Sequence, residues 1–183
     1  MIRSAIILFG LLSATLVHAS SWEKAGDASI SFKGTYQGEA FEGRFERFDP
    51  TIVFDPAAPG SARFDVEIDI SSAKTGIDDY DSSMQDAEFF DGKRFPVARF
   101  VTKTFRKKGD DTYEADAELT IRDKTVQMVF PFRFVTEGGG ARLTSTVTLK
   151  RLDFDVGTGD WTDTSLIANE VEVTVDLPLK QVP

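Results

Sequence analysis

A two-residue alternation that returns along most of the chain constrains its fold more than any other feature. In its sharpest form Phe64, Val66, Ile68 and Ile70 alternate with Arg63, Asp65, Glu67 and Asp69. Successive side chains of a strand point to opposite faces, so this stretch makes a strand with one dry face and one charged face. A 3.6-residue period would scatter the same residues around a helix and bury none of them well. The pattern recurs in Tyr113, Ala115, Ala117, Leu119 and Ile121, in Val126, Met128, Phe130, Phe132 and Phe134, and in Val171, Val173, Val175, Leu177 and Leu179. Phe41, Gly43 and Phe45 against Glu42, Arg44 and Glu46 repeat it, as do Ala98 to Phe105 and Leu143, Val147 and Leu149. Ser29 to Gly34 and Thr51 to Asp55 add shorter strands. Gly38, Pro56, Pro59, Gly60, Lys107 to Asp111 and Gly138 to Gly140 supply the turns. Pro131 lacks a ladder donor, so its strand is expected to carry a bulge or an edge there.

About eight strands with one apolar face each close as a barrel or pack as a two-sheet sandwich. None of the inward positions of the clearest strands is charged, which makes the interior apolar. Alternation alone does not separate a barrel filled by side chains from one that holds an apolar ligand. The 16 Phe, against 3 Tyr and 2 Trp, weigh toward the second, since a ring without a polar handle goes to burial or to a greasy partner.

The alternation stops between Lys74 and Phe100. Thr75 with Asp78 reads as a capping box opening a short helix. Ile77, Tyr80, Met84 and Ala87 form an apolar stripe at helical spacing, and Phe89 and Phe90 are expected to turn inward after it. Such an insert closes one end of the barrel, either as a plug or as a lid over a cavity. Asp78, Asp79, Asp81, Asp86 and Glu88 are expected on one solvated helix face. A catalytic pair would need two carboxylates in different environments across a cleft. Calcium in an EF-hand loop would need Gly where, counting from Asp79, Met84 stands. Ser71 to Gly76 contains S-x-x-K and K-T-G, but the two overlap on Lys74 instead of occupying separate elements. Gly157-Thr158-Gly159-Asp160 lacks the third glycine of a dinucleotide loop and reads as a tight turn before Trp161.

Residues 1–19 read as a secretory leader. Arg3 gives the positive start, Ile6 to Leu12 the apolar middle and Val17-His18-Ala19 the cleavage site before Ser20. Residues 20–183 are then expected as one domain in the periplasm. His18 is the single histidine and the chain has no cysteine, so the mature domain has neither. That excludes His- or Cys-dependent nucleophilic catalysis, any metal site built on those ligands, and disulfides. The formal charge of −9 becomes −10 when Arg3 leaves with the leader. A surface of that sign repels phosphate backbones and excludes nucleic acid as a partner.

Several residues taken together resemble a known family. Gly43-Arg44-Phe45 with Phe48, Ile52 to Pro56, Lys74-Thr75-Gly76, Asp81, Met84, Phe89-Phe90-Asp91, Phe95-Pro96 and Phe100 are similar in order and spacing to the YceI-like periplasmic proteins, also called polyisoprenoid-binding proteins. Leu119-Thr120-Ile121, Thr125, Arg151, Asp153-Phe154, Val156-Gly157, Gly159, Trp161, Asp163-Thr164-Ser165 and Val171 continue the match. The resemblance implies an all-β fold, an eight-stranded antiparallel lipocalin-like barrel with one short helical insert closing one end. It implies a non-enzymatic carrier or store for a long isoprenoid lipid, a polyprenyl lipid or a quinone, bound as ligand with no catalytic cofactor. Phe45, Phe54, Phe64, Phe100, Met128, Phe130 and Phe132 are the expected tail lining, with Met84, Phe89, Phe90 and Trp161 near the mouth. Many members carry a basic residue and a His around the central Asp, where this chain has Asp79, Tyr80 and Ser83. The alternative is a stress-related interaction protein with a filled barrel that docks on an inner-membrane redox protein; a homodimer stays open.

Overall fold

The computed structural model describes residues 20–182; the expected leader lies outside them. Eleven strand segments follow the alternating stretches. They are β1 (Ser21–Lys24), β2 (Ser29–Tyr36), β3 (Glu39–Phe45), β4 (Phe48–Val53), β5 (Arg63–Asp69), β6 (Ala73–Lys74), β7 (Val97–Lys107), β8 (Thr112–Ile121), β9 (Lys124–Glu137), β10 (Gly140–Lys150) and β11 (Glu170–Gln181). The helix α1 covers Asp78–Ser83.

The eleven segments make eight staves, because three staves are bent. β1 and β2 both lie against β11, through Trp22↔Gln181 and Val175↔Ile30. β4 and β3 lie against β1 and β2, and β5 and β6 against β4 and β3. From β5 the order runs through β7, β8, β9 and β10 to β11, which returns to β1, so the antiparallel sheet closes on itself. Two bent staves are joined at Ser72. Its buried hydroxyl donates to Asp69 O at 2.6 Å and accepts from Arg47 N at 3.0 Å, satisfying backbone groups that the bend takes out of the ladder. Thr102 does the same beside the bulge in β7, accepting from Phe64 N at 2.8 Å.

Pro131 has the edge character expected of it. β9 pairs with β8 from Lys124 to Arg133, but with β10 only from Arg133 to Glu137. At the point where the second ladder ends, Ser145 Oγ donates to Pro131 O at 2.5 Å. Beyond it the wall parts, leaving Val129 52% exposed on the outer side while Phe154 and Leu149 lie along the inner side of the gap.

The interior divides into two halves. In the lower half Phe54 is the hub of an aromatic cluster, with ring centroids 4.7 Å from Phe134, 4.9 Å from Tyr113, 5.4 Å from Phe132 and 5.8 Å from Phe64. Trp22 seals that end, its Nε1 donating to Phe54 O at 2.8 Å and its ring standing edge-on to Phe134. Ala115 and Ala117, small and buried on β8, leave room for these rings. The charged outer faces are crossed by ion pairs such as Arg99–Asp65 and Arg142–Asp176.

Candidate functional site

The upper half of the barrel is hollow. A cavity of about 380 Å³ rises from a floor of Phe100, Phe130 and Leu143 to the segment that follows β6. Val173, Val175 and Ile121, together with Met128, Val147 and Leu149 beside the gap between β9 and β10, point into it and are only half-buried. Their exposed surface faces the void, whereas their counterparts lower down are covered by aromatic rings. Side chains therefore fill the barrel at one end and leave a cavity at the other, which alternation could not reveal.

The expected lining residues divide accordingly. Phe45, Phe100, Met128 and Phe130 line the cavity, and so do Met84, Phe89, Phe90 and Trp161 at its upper end. Phe54, Phe64 and Phe132 do not. They belong to the aromatic plug below the floor, where each is nearly fully enclosed by other rings. All three point inward as expected, but the stagger of the staves sets them too low to reach the void.

The insert departs from expectation at its start. Thr75 does not cap the helix: Ile77 occupies the N-cap position without a side-chain cap bond. Asp81 is not on the solvated face with its neighbours but buried, accepting from Thr75 N at 2.6 Å and Thr75 Oγ1 at 2.8 Å, with Lys74 Nζ at 3.4 Å. The Thr75 backbone N–H, with help from its hydroxyl and from Lys74, holds the Asp81 carboxyl below the usual carboxylate range. Two members of the expected apolar stripe are corrected as well, since Ile77 is 48% exposed and Ala87 also faces solvent. Tyr80 and Met84 face the cavity, flanked by Asp79 and Ser83.

After α1 a run of tight turns, including Phe90 N to Met84 O at 3.0 Å, throws Phe89 and Phe90 inward. This lid is tied down from the far side. Glu88 O accepts from Gly157 N at 2.7 Å and Thr158 N at 2.8 Å, and Phe89 O accepts from Arg122 Nη1 at 2.7 Å. The tying loop is itself organised by Arg151, which is buried without a carboxylate partner among the described residues. Its guanidinium donates to Ala168 O, Val156 O, Gly157 O, Trp161 O and Ile167 O at 2.6–3.2 Å. Burial pulls its pKa below the usual guanidinium range. Gly157 makes the arrangement possible, because its φ is +87° and a Cβ there would overlap the Arg151 guanidinium.

The rim is aromatic. Tyr80 stands edge-on between Tyr36 and Phe41, at 6.0 and 5.8 Å, and Trp161 lies 5.4 Å from Phe89. Phe41 lies across the Cα of its partner Gly34, where a Cβ would be 2.6 Å from the ring. Tyr36, Phe41 and Ile167 escape the sequence reading because they meet only through the β2–β3 register and the bridge from Tyr36 to Ile167. Apart from Tyr36, Asp79, Tyr80, Ser83 and Arg151 the walls are apolar. Among the described residues Asp79 is the one carboxylate bordering the void, so they assemble no pair of carboxylates there.

An eight-stranded barrel with an apolar cavity under an aromatic rim has the build of a barrel that holds one small apolar ligand. The chain belongs to the YceI-like family, whose domain matches residues 24–179. A UPF0312 protein of Pseudomonas syringae pv. syringae is 31% identical over 156 residues, covering 80% of this chain and 81% of that protein. The crystal structure of Burkholderia cenocepacia BcnA superposes with a TM-score of 0.80 at 29% identity, over 82% of this chain and 95% of BcnA. A polyisoprenoid binding domain from Saccharophagus degradans shares the fold, with a TM-score of 0.72 at 18% identity over 90% of this chain and 99% of that domain.

Proposed function

We propose that the protein binds a long isoprenoid lipid, a polyprenyl lipid or an isoprenoid quinone, and carries or stores it in the periplasm without acting on it chemically. The observation that carries this reading is the hollow, apolar upper half of the barrel beneath a lid of Phe89 and Phe90. The S. degradans domain, described as polyisoprenoid binding, supports the choice of ligand class. Each methylene moved from water into the cavity contributes about 0.8 kcal/mol before the cost of ordering the chain, so a polyprenyl tail has ample driving force. A branched, unsaturated chain also suits walls that mix β-branched side chains with rings.

Solvent extraction of protein purified without detergent, followed by mass spectrometry, tests the reading. The expected result is an isoprenoid at close to one per chain. An empty extract, together with no uptake of added polyprenol, would remove it. N-terminal sequencing of the exported protein is expected to begin at Ser20.

A further inference from the structure

We propose that the cavity selects an isoprenoid with an uncharged, hydrogen-bonding headgroup, an alcohol or a quinone, and disfavours the same chain carrying a diphosphate. The inference rests on the isoprenoid reading above and adds the chemistry of the headgroup. A tail that fills the cavity from its floor leaves the head at the rim. There the polar groups are the phenols of Tyr36 and Tyr80, the Ser83 hydroxyl and the Asp79 carboxylate. The Tyr36 oxygen accepts from Gln37 Nε2 at 3.2 Å, which leaves its O–H to donate outward.

A diphosphate is held by cations with free N–H groups or by converging backbone amides. Among the described residues Arg151 is the sole cation bordering the cavity, and its five N–H donors are all engaged by main-chain carbonyls. Turning any of them to a phosphate would release a carbonyl of the loop that ties the lid. Two nearby cations do not border the cavity, although the buried Arg122 Nε is left without a hydrogen-bond partner. Lys74 faces the buried Asp81, and Arg122 is fixed beneath Phe89 and Asp155. The first turn of α1 carries Asp78, Asp79 and Asp81, whose negative charge opposes an anion there. A diphosphate at this rim would meet the Asp79 carboxylate and, among the described residues that line the cavity, find no cation with an unengaged N–H. A quinone carbonyl can instead accept from a tyrosine O–H, and an alcohol can donate to Asp79.

The test uses lipid-stripped protein and three probes of one chain length: an isoprenoid alcohol, an isoprenoid-tailed benzoquinone and an isoprenyl diphosphate. Retained ligand is counted by native mass spectrometry. Alcohol and quinone are expected to be retained to similar extents, and diphosphate at least about tenfold less, the effect of roughly one like-charge contact and a missing cationic donor. Asp79→Lys, at the cavity rim, is expected to raise the ratio of retained diphosphate to retained alcohol several-fold. Diphosphate retained by the wild type as well as the alcohol would overturn the inference and leave the isoprenoid reading standing, as would an unchanged ratio in Asp79→Lys. Retention of none of the three would remove that reading, and this inference with it.

Discussion

Replacing Phe54 with Ala tests whether the two halves of the barrel do separate jobs. Phe54 is 0% exposed, and five rings surround it, from Phe134 at 4.7 Å to Phe105 at 5.9 Å. Truncating a buried Phe costs about 3 to 5 kcal/mol through lost transfer energy and the void left behind. Several edge-to-face contacts, each contributing roughly 0.5–1.5 kcal/mol beyond area, place this site toward the upper end. The backbone frame resists collapse as well, because Phe54 O still accepts from Trp22 Nε1. A loss of about 4 kcal/mol corresponds to a fall in Tm of roughly 8 to 16 °C for a domain of this size. Urea unfolding followed by near-UV circular dichroism measures the first and a thermal scan the second. Lipid content per folded molecule is expected to stay at the wild-type level, since Phe54 lies below the cavity floor. A loss under about 1 kcal/mol would refute the tight plug; a loss of lipid without a loss of stability would show that the ligand space reaches into it.

At the other end Phe90→Asp is expected to lower retained isoprenoid several-fold more than Asp79→Asn, because it puts a charge on the cavity side of the lid; extraction and mass spectrometry of both variants decide the order. Arg151→Lys keeps the charge but loses the planar five-donor fork, and it is expected to destabilise by about 3 kcal/mol and to speed hydrogen exchange over residues 151–168. A variant as stable as wild type would sink the organising role given to Arg151. Acid stability provides a further check. Asp65, held to about 2 chiefly by its hydrogen bonds to Arg99, and Asp81, lowered by the Thr75 N–H, bind protons less readily folded than unfolded. Their stabilisation is present above the ordinary carboxylate value of 3.8 and is lost as pH falls through the depressed folded values. Tm measured from pH 6 to pH 2 should fall less steeply in Asp65→Asn than in wild type, and parallel curves would refute the assignment.

Much of the molecule could be read before any coordinate. Alternation gave the strands, and the edge at Pro131 followed from its missing donor. The interruption after Lys74 is recognisable as the closure of one barrel end, plug or lid, because its apolar residues cluster where the period of two fails. What went wrong there was local competition. Thr75 looked like a cap, but its backbone N–H and hydroxyl both serve Asp81, and the helix starts two residues later without a side-chain cap. Charge runs are usually solvated, and in this one a single member is buried because Thr75 and Lys74 converge on it.

By itself, then, the order of residues determined which side chains face inward, since a strand's period of two leaves no freedom in that choice once one face is dry. It also determined that no chemistry resting on an imidazole or a thiol is available among residues 20–182, because neither His nor Cys occurs there. Tertiary structure alone decided depth. Phe130 and Phe132 sit two residues apart on one face of β9, yet one forms the floor of a cavity and the other lies in a solid plug. The difference comes from the stagger of the staves and the rings of Phe54, Phe64, Phe105 and Tyr113 brought level with Phe132, a relation between distant segments that no local pattern contains.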